Sequence, residues 1–347
     1  MKVLLIVTVF SLVGSCATSK YSTKIETLNN NIKINDSTTI SRYANTITVP
    51  ELRKHLYKYA SDEFQGRGTG EIGQKKAAEF LKNYYISEDI TSPINDSIYF
   101  QIIPKSYFLD ETKASENVLA FIKGNEKPEE VVIVSAHYDH LGIKDSIIYY
   151  GADDDGSGTV ALMEIAQAFK LASIEGHRPK RSVLFLHLTA EEIGLEGSRF
   201  YTENPIFHLN KTMANLNIDM IGRVDKHHED INQENYIYLI GADRLSKELH
   251  LISEKVNNAF VNLELDYKYN AETDKNHYYS RSDHYNFAQH NIPVIFYFNG
   301  VHEDYHKPTD TPDKINYNLL QQRTKLIFAT AWQLANRENR LILNENL

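Results

Sequence analysis

Hydrophobic positions fall in short continuous runs along most of this chain, each broken sharply by polar or charged residues. The clearest run, Val131-Val132-Ile133-Val134-Ser135-Ala136, is rich in β-branched residues and reads as a strand buried on both faces. Ser182 to Leu188, Met213 to Ile218, Tyr236 to Ile240 and Val294 to Phe298 have the same character. Ser97 to Ile103 and Asn117 to Lys123 read as antiparallel neighbours at one sheet edge. Between them lie helical segments: Pro50 to Ala60, Ile72 to Tyr84, Thr159 to Leu171 and Tyr317 to Asn336. Strands alternating with helices predict an α/β fold, one globular domain with a central mixed, mostly parallel sheet flanked by helices on both faces. No internal repeat is present.

The one break in composition precedes residue 50. Lys2 leads an apolar stretch from Val3 to Val13, too short to span a membrane and shaped like a secretory signal peptide. Its end, Val13-Gly14-Ser15-Cys16, resembles the lipobox of bacterial lipoproteins. That resemblance implies removal of residues 1–15 and a lipid on Cys16, placing the protein in the cell envelope, facing the periplasm, with the lipid as its only membrane contact. Residues 16–49, rich in Ser, Thr, Asn and Lys, read as a flexible tether, and the folded domain is expected over 50–347. Cys16 is the sole cysteine, so no disulfide supports that domain.

A net charge of -9 over 347 residues argues against nucleic acid as a partner. What the chain concentrates instead is acids and histidines at the ends of its apolar runs. The first run stops at His137, with Asp139 and His140 close behind; the second leads to Glu191-Glu192, and the third ends on Asp219. His306 lies in the segment after Val294 to Phe298. In a largely parallel sheet such positions collect along one edge, where ligands bind. Glu191 and Glu192 are expected to open a helix, on which neighbours point roughly 100° apart and so address different targets. Asp153-Asp154-Asp155 is either a cation site or an acidic helix entrance, and the sequence leaves both open. Gln65-Gly66-Arg67-Gly68-Thr69-Gly70 reads as a structural turn, since no strand precedes it and no Gly-Lys-Ser/Thr follows. Two His and several carboxylates without a Cys ligand suit zinc, and the surplus of carboxylates suggests two metals sharing one of them.

Five blocks carry a family resemblance: Ala136-His137-Tyr138-Asp139-His140, Gly151-Ala152-Asp153-Asp154-Asp155-Gly156-Ser157-Gly158, Ala190-Glu191-Glu192-Ile193-Gly194, Asn217-Ile218-Asp219-Met220 and Tyr305-His306-Lys307-Pro308-Thr309-Asp310-Thr311. In this order they resemble metallopeptidase family 28, the di-zinc aminopeptidases and their glutamate carboxypeptidase relatives. The resemblance implies two Zn2+ per chain (Co2+ or Mn2+ in their place), with His137 and Asp219 on one ion and Glu192 and His306 on the other. Asp154 would bridge them, with a cis peptide bond to Asp155. Asp139 would orient the His137 ring, and Glu191 would be the general base. Tyr305 matches a tyrosine that steadies the oxyanion in some relatives, and Tyr279 one given that role in others; Tyr305 is preferred here.

The implied activity is removal of N-terminal residues from peptides with a free amino end. A carboxypeptidase, a one-metal glutaminyl cyclase and an inactive binding relative are the alternatives. His140 has no ligand role in the pattern, His187 reads as a core residue, and Ser282 as a helix N-cap. The polar segment Asn262 to Tyr279 either lines the pocket or forms a surface insertion.

Overall fold

The computed structural model describes residues 21–95, 97–109 and 111–347. The expected signal segment and Cys16 lie outside the described residues. Among the latter, ten strands form: β1 (Phe100–Ile103), β2 (Ser115–Ile122), β3 (Lys127–His137), β4 (Ile143–Lys144), β5 (Ile147–Ile148), β6 (Arg181–Leu188), β7 (Thr212–Ile218), β8 (Tyr236–Ile240), β9 (Glu264–Asp266) and β10 (Val294–Phe298). Eight build one sheet in the order β1-β2-β6-β3-β7-β10-β8-β9, and β4 with β5 makes a separate hairpin. The central strands β6, β3, β7 and β10 run parallel; β1 and β2 join antiparallel at one edge, and at the other β8 joins β10 antiparallel and pairs in parallel with β9. The mixed, mostly parallel sheet and the antiparallel edge are as the apolar runs predict.

Helices cover both faces: α1 (residues 21–31), α2 (Ser37–Ala44), α3 (Val49–Tyr59), α4 (Ile72–Ser87), α5 (Gly158–Ile174), α6 (Glu196–Glu203), α7 (Lys226–Asp230), α8 (Lys247–Phe260), α9 (His284–Ala288) and α10 (Tyr317–Asn336). Successive side chains of a strand point to opposite faces, so β3 feeds two cores. Val132, Val134 and Ala136 join the larger core with α5 and α10, and Val131 and Ile133 join the smaller one with Tyr201 and Phe287. No charged residue interrupts either set, which is why β3 reads as an unbroken apolar run.

Two expectations fail here. The tether expected over 16–49 is helical from residue 21 to 31 and again at α2, and Ile32, Ile40, Tyr43 and Ile47 are buried in the larger core. These apolar residues are few and widely spaced among Ser, Thr and Asn, so composition hides them; the ring of Tyr43 stacks on Trp332 of α10, 6.1 Å away. Glu191 and Glu192 also do not open a helix: α6 starts at Glu196, after a turn in which the Glu191 carbonyl accepts from the N–H groups of Gly194 and Leu195. Leu195, at φ 60, begins the helix from the left-handed region, so the turn and the helix cannot be continuous.

Candidate active site

The parallel strands end side by side, with His137 opposite Leu188 and Ile218 opposite both Ala136 and Tyr297. Residues following β3, β6, β7 and β10 therefore meet at one edge of the sheet, and the loop before α5 brings Asp154 to the same place. The Asp154 carboxylate lies between two imidazoles. Its Oδ1 is 3.3 Å from His137 Nε2 and its Oδ2 is 3.1 Å from His306 Nε2. Asp219 Oδ1 stands 3.6 Å from the same nitrogen of His137, and Glu192 Oε2 stands 3.2 Å from that of His306. Five side chains read from the sequence thus form two sets that share Asp154, and the Asp154–Asp155 peptide bond is cis.

Within the Asp run the flanking acids do different work from Asp154. Asp153 Oδ1 accepts from Gly222 N–H at 2.6 Å, and Asp155 Oδ1 accepts from Met220 and Gly158 N–H groups at 3.0 Å. Both tie the loop to the end of β7. Asp310 holds it from the other side, accepting from the backbone N–H groups of Asp153 and Asp154 at 2.9 and 3.2 Å. Arg67, fully buried, donates to the carbonyls of Tyr138, Tyr150 and Gly151, which locks the β3 end to the Asp loop. The glycine-rich turn is structural as expected: a Cβ on Gly66 would lie 2.4 Å from the carbonyl oxygens of Gly142 and Tyr149.

Charge dominates the site. Burial alone would raise the Asp154 carboxyl, yet His137 and His306 hold it well below the usual carboxylate range. Burial would lower His306, but Asp154 and Glu192 push it up to about 10. His137 is likewise driven up, against burial, by Glu191 and Asp219. Carboxylates crowd the two imidazoles from both sides, and closely packed carboxylates are costly unless a cation compensates. The buried His137 Nε2 and Asp154 Oδ2 make no well-aligned hydrogen bond despite these short contacts, which suits atoms that ligate a metal. Donor atoms of His137, Glu191 and Asp219, and of His140, Asp154 and Glu192, each lie within 4.8 Å of one another. The donor set is all nitrogen and oxygen and fits zinc or a similar divalent ion.

Around this centre, Asp139 behaves differently from expectation in one respect. His137 Nδ1 lies 3.1 Å from the Asp139 carbonyl oxygen and 3.8 Å from its carboxylate. The carboxylate instead accepts from Thr69 Oγ1 at 2.7 Å and from the Glu191 N–H at 3.1 Å. Asp139 thus orients the ring through its backbone and positions Glu191 through its side chain. Burial, reinforced by Asp219 and Glu192 against His137, pushes the Glu191 carboxyl well above its ordinary range. Tyr305 shares a pocket with Asp154, Glu191, Asp219 and His306, while Tyr279 stands outside it, beneath Arg244 at 4.2 Å.

Three residues gain parts that the sequence reading did not give them. His140 Nδ1 lies 2.7 Å from Glu192 Oε1. Ser282 is not an N-cap, because α9 begins after Asp283 and Ser282 Oγ donates to Asp219 Oδ2 at 2.6 Å. Tyr278, at the end of the polar segment, lines the pocket, whereas residues 264–266 of that segment form edge strand β9. His187 is a core residue as expected, its Nε2 2.6 Å from Tyr85 Oη. The signal for His140 was its place three residues after His137; for Ser282 there was none short of the fold.

Residues 117–331 match Peptidase family M28. Leucine aminopeptidase 2 of Arthroderma otae is 27% identical over 243 residues, covering 64% of this chain and 45% of that protein. Aminopeptidase YwaD of Bacillus subtilis is 26% identical over 242 residues, 66% of this chain and 46% of that protein. The chain spans about half the length of these relatives. In fold it is similar to the LapA aminopeptidase of Legionella pneumophila, with a TM-score of 0.68 at 20% identity over 88% of this chain and 77% of that one.

Proposed function

Because the chain belongs to Peptidase family M28, which covers residues 117–331, we propose that it is a zinc-dependent exopeptidase, an aminopeptidase that removes the N-terminal residue of peptides. The observation that carries this reading is the Asp154 carboxylate facing His137 with one oxygen and His306 with the other. It supports two zinc ions per chain, His137 and Asp219 on one, Glu192 and His306 on the other, and Asp154 on both; Co2+ or Mn2+ suits the same donors. Ions held there would supply a water of pKa lowered towards roughly 7 and a Lewis acid for the scissile carbonyl.

The chain's own residues supply the rest. Glu191, with its backbone fixed by Asp139, takes a proton from the attacking water at its carboxylate and returns it to the departing amine. Tyr305 places its phenol in the pocket wall and donates to the oxygen that gains charge in the tetrahedral state. Ser282 and His140 keep Asp219 and Glu192 in orientation through their second oxygens. An inactive binding relative has no use for this complete set of donors and base.

Zinc-loaded protein assayed on free and N-acetylated copies of one peptide tests the proposal. Cleavage of the free peptide alone supports an aminopeptidase. Cleavage of both from the carboxyl end replaces it with a carboxypeptidase, and ring closure of N-terminal Gln with one zinc per chain replaces it with a cyclase. We also propose, on the sequence of residues 13–16, that Cys16 carries a lipid holding the enzyme in the cell envelope on its periplasmic face. Failure of Cys16→Ser to release the protein from membranes would refute that attachment.

A further inference from the structure

The pocket beside Glu191 has an apolar wall and one arginine. Met220, Phe296, Phe298 and Val301 line it, and Arg281 lines it together with Asp154, Glu191 and Asp219. Arg281 is exposed at the end of the short turn Tyr278–Ser280. Its guanidinium carbon lies 4.9 Å from the centre of the Tyr278 ring, which packs in turn on Phe298 at 5.0 Å. The Tyr278 ring, backed by Phe298, braces the guanidinium and takes a side-chain hydrogen bond from it, which leaves the remaining N–H donors of the fork for a ligand.

Among the described residues, no ion pair uses Arg281, whereas Arg199 and Arg223 each meet a carboxylate. The three acids that share the pocket belong to the catalytic centre and do not reach it. A guanidinium placed this way is answered by a planar anion, which accepts two parallel hydrogen bonds. An apolar side chain in the pocket would leave those donors to water.

We infer that Arg281 makes this pocket a recognition site for a substrate carboxylate, the side chain of an N-terminal Glu or Asp. The methylenes of such a residue lie along Phe296 and Met220, and its carboxylate reaches Arg281. The inference rests on the aminopeptidase reading above. The same chemistry could come from the terminal carboxylate of a peptide cut from its other end, and the substrates separate the two sources.

The test measures kcat/KM of zinc-loaded wild type and Arg281→Met on Glu- and Leu-p-nitroanilide and on N-acetyl-Leu-Glu, with calorimetric binding of free L-glutamate and L-leucine alongside. The expected result is a fall of roughly tenfold or more in the Glu-to-Leu ratio in the variant, in turnover and in binding, the cost of removing a charge-assisted pair. A fall confined to N-acetyl-Leu-Glu moves the recognised carboxylate to the peptide end and overturns the side-chain assignment. A ratio unchanged within twofold makes Arg281 a plain pocket wall and overturns the inference. Turnover of no anilide by either protein would fell the aminopeptidase reading, and the binding ratio would still decide Arg281. Arg281→Glu is the second variant: it should shift preference towards Lys-p-nitroanilide, and an unchanged preference counts against the inference.

Discussion

The Nδ1 of His140 lies 2.7 Å from Glu192 Oε1, while His306 faces the other oxygen of that carboxylate. Glu192 is therefore fixed at both oxygens, one by a residue with no expected part and one by a candidate co-ligand. A residue that orients a metal ligand typically contributes ten- to a hundredfold to metal affinity. His140→Ala should weaken zinc binding at the Glu192–His306 position by about that factor, read by competition with a chelator. Unchanged affinity for both ions would make the contact incidental.

Glu191 carries no expected ligand role, and its backbone rather than its carboxylate is tied to Asp139. Glu191→Gln should keep the metal content and the melting temperature while turnover falls by about a thousandfold, as expected when a general base is lost. Turnover within tenfold of wild type would remove Glu191 from that role.

Away from the site, Glu164 of α5 is fully buried, 3.5 Å from His55 of α3, and burial pushes its carboxyl from an ordinary 4.5 up to about 8. Between those values the folded protein holds a proton that the unfolded chain has lost, so this group makes stability fall as pH rises. Glu164→Gln should gain on wild type by roughly a few kcal/mol between pH 5 and pH 8.5. Denaturant titrations at the two pH values check it, and a constant difference would contradict it.

Ile40 of α2 is wholly buried in the larger core. Ile40→Ala should cost about 2–5 kcal/mol in denaturant unfolding, as for other buried aliphatic truncations. A cost under about 0.5 kcal/mol, ordinary for an exposed site, would return this segment to a tether.

Much of this was legible because parallel strands must be apolar on both faces, so β3, β6, β7 and β10 announce themselves and so do the polar residues at their ends. His137, Glu192, Asp219 and His306 were found on that ground, and motif order then gave each a partner. What stayed hidden depends on long-range contact. Ile40 and Tyr43 show no continuous apolar run, and their burial comes from α5 and α10, far along the chain. Arg281 sits in a polar stretch with no periodic signal, and its place in the pocket follows from Tyr278 and Phe298 coming together. The turn at Glu191 resembles a helix start in sequence because acids before a helix are common, whereas its own backbone bonds to Gly194 and Leu195 and the Asp139 contact fix it otherwise.

The central claim is that Asp154 is shared by two cations. Anomalous scattering at the zinc edge from zinc-soaked crystals tests it most directly. Two peaks about 3.5–4 Å apart, one on either side of the Asp154 carboxylate, are predicted. A single peak, or peaks away from His137 and His306, would contradict it.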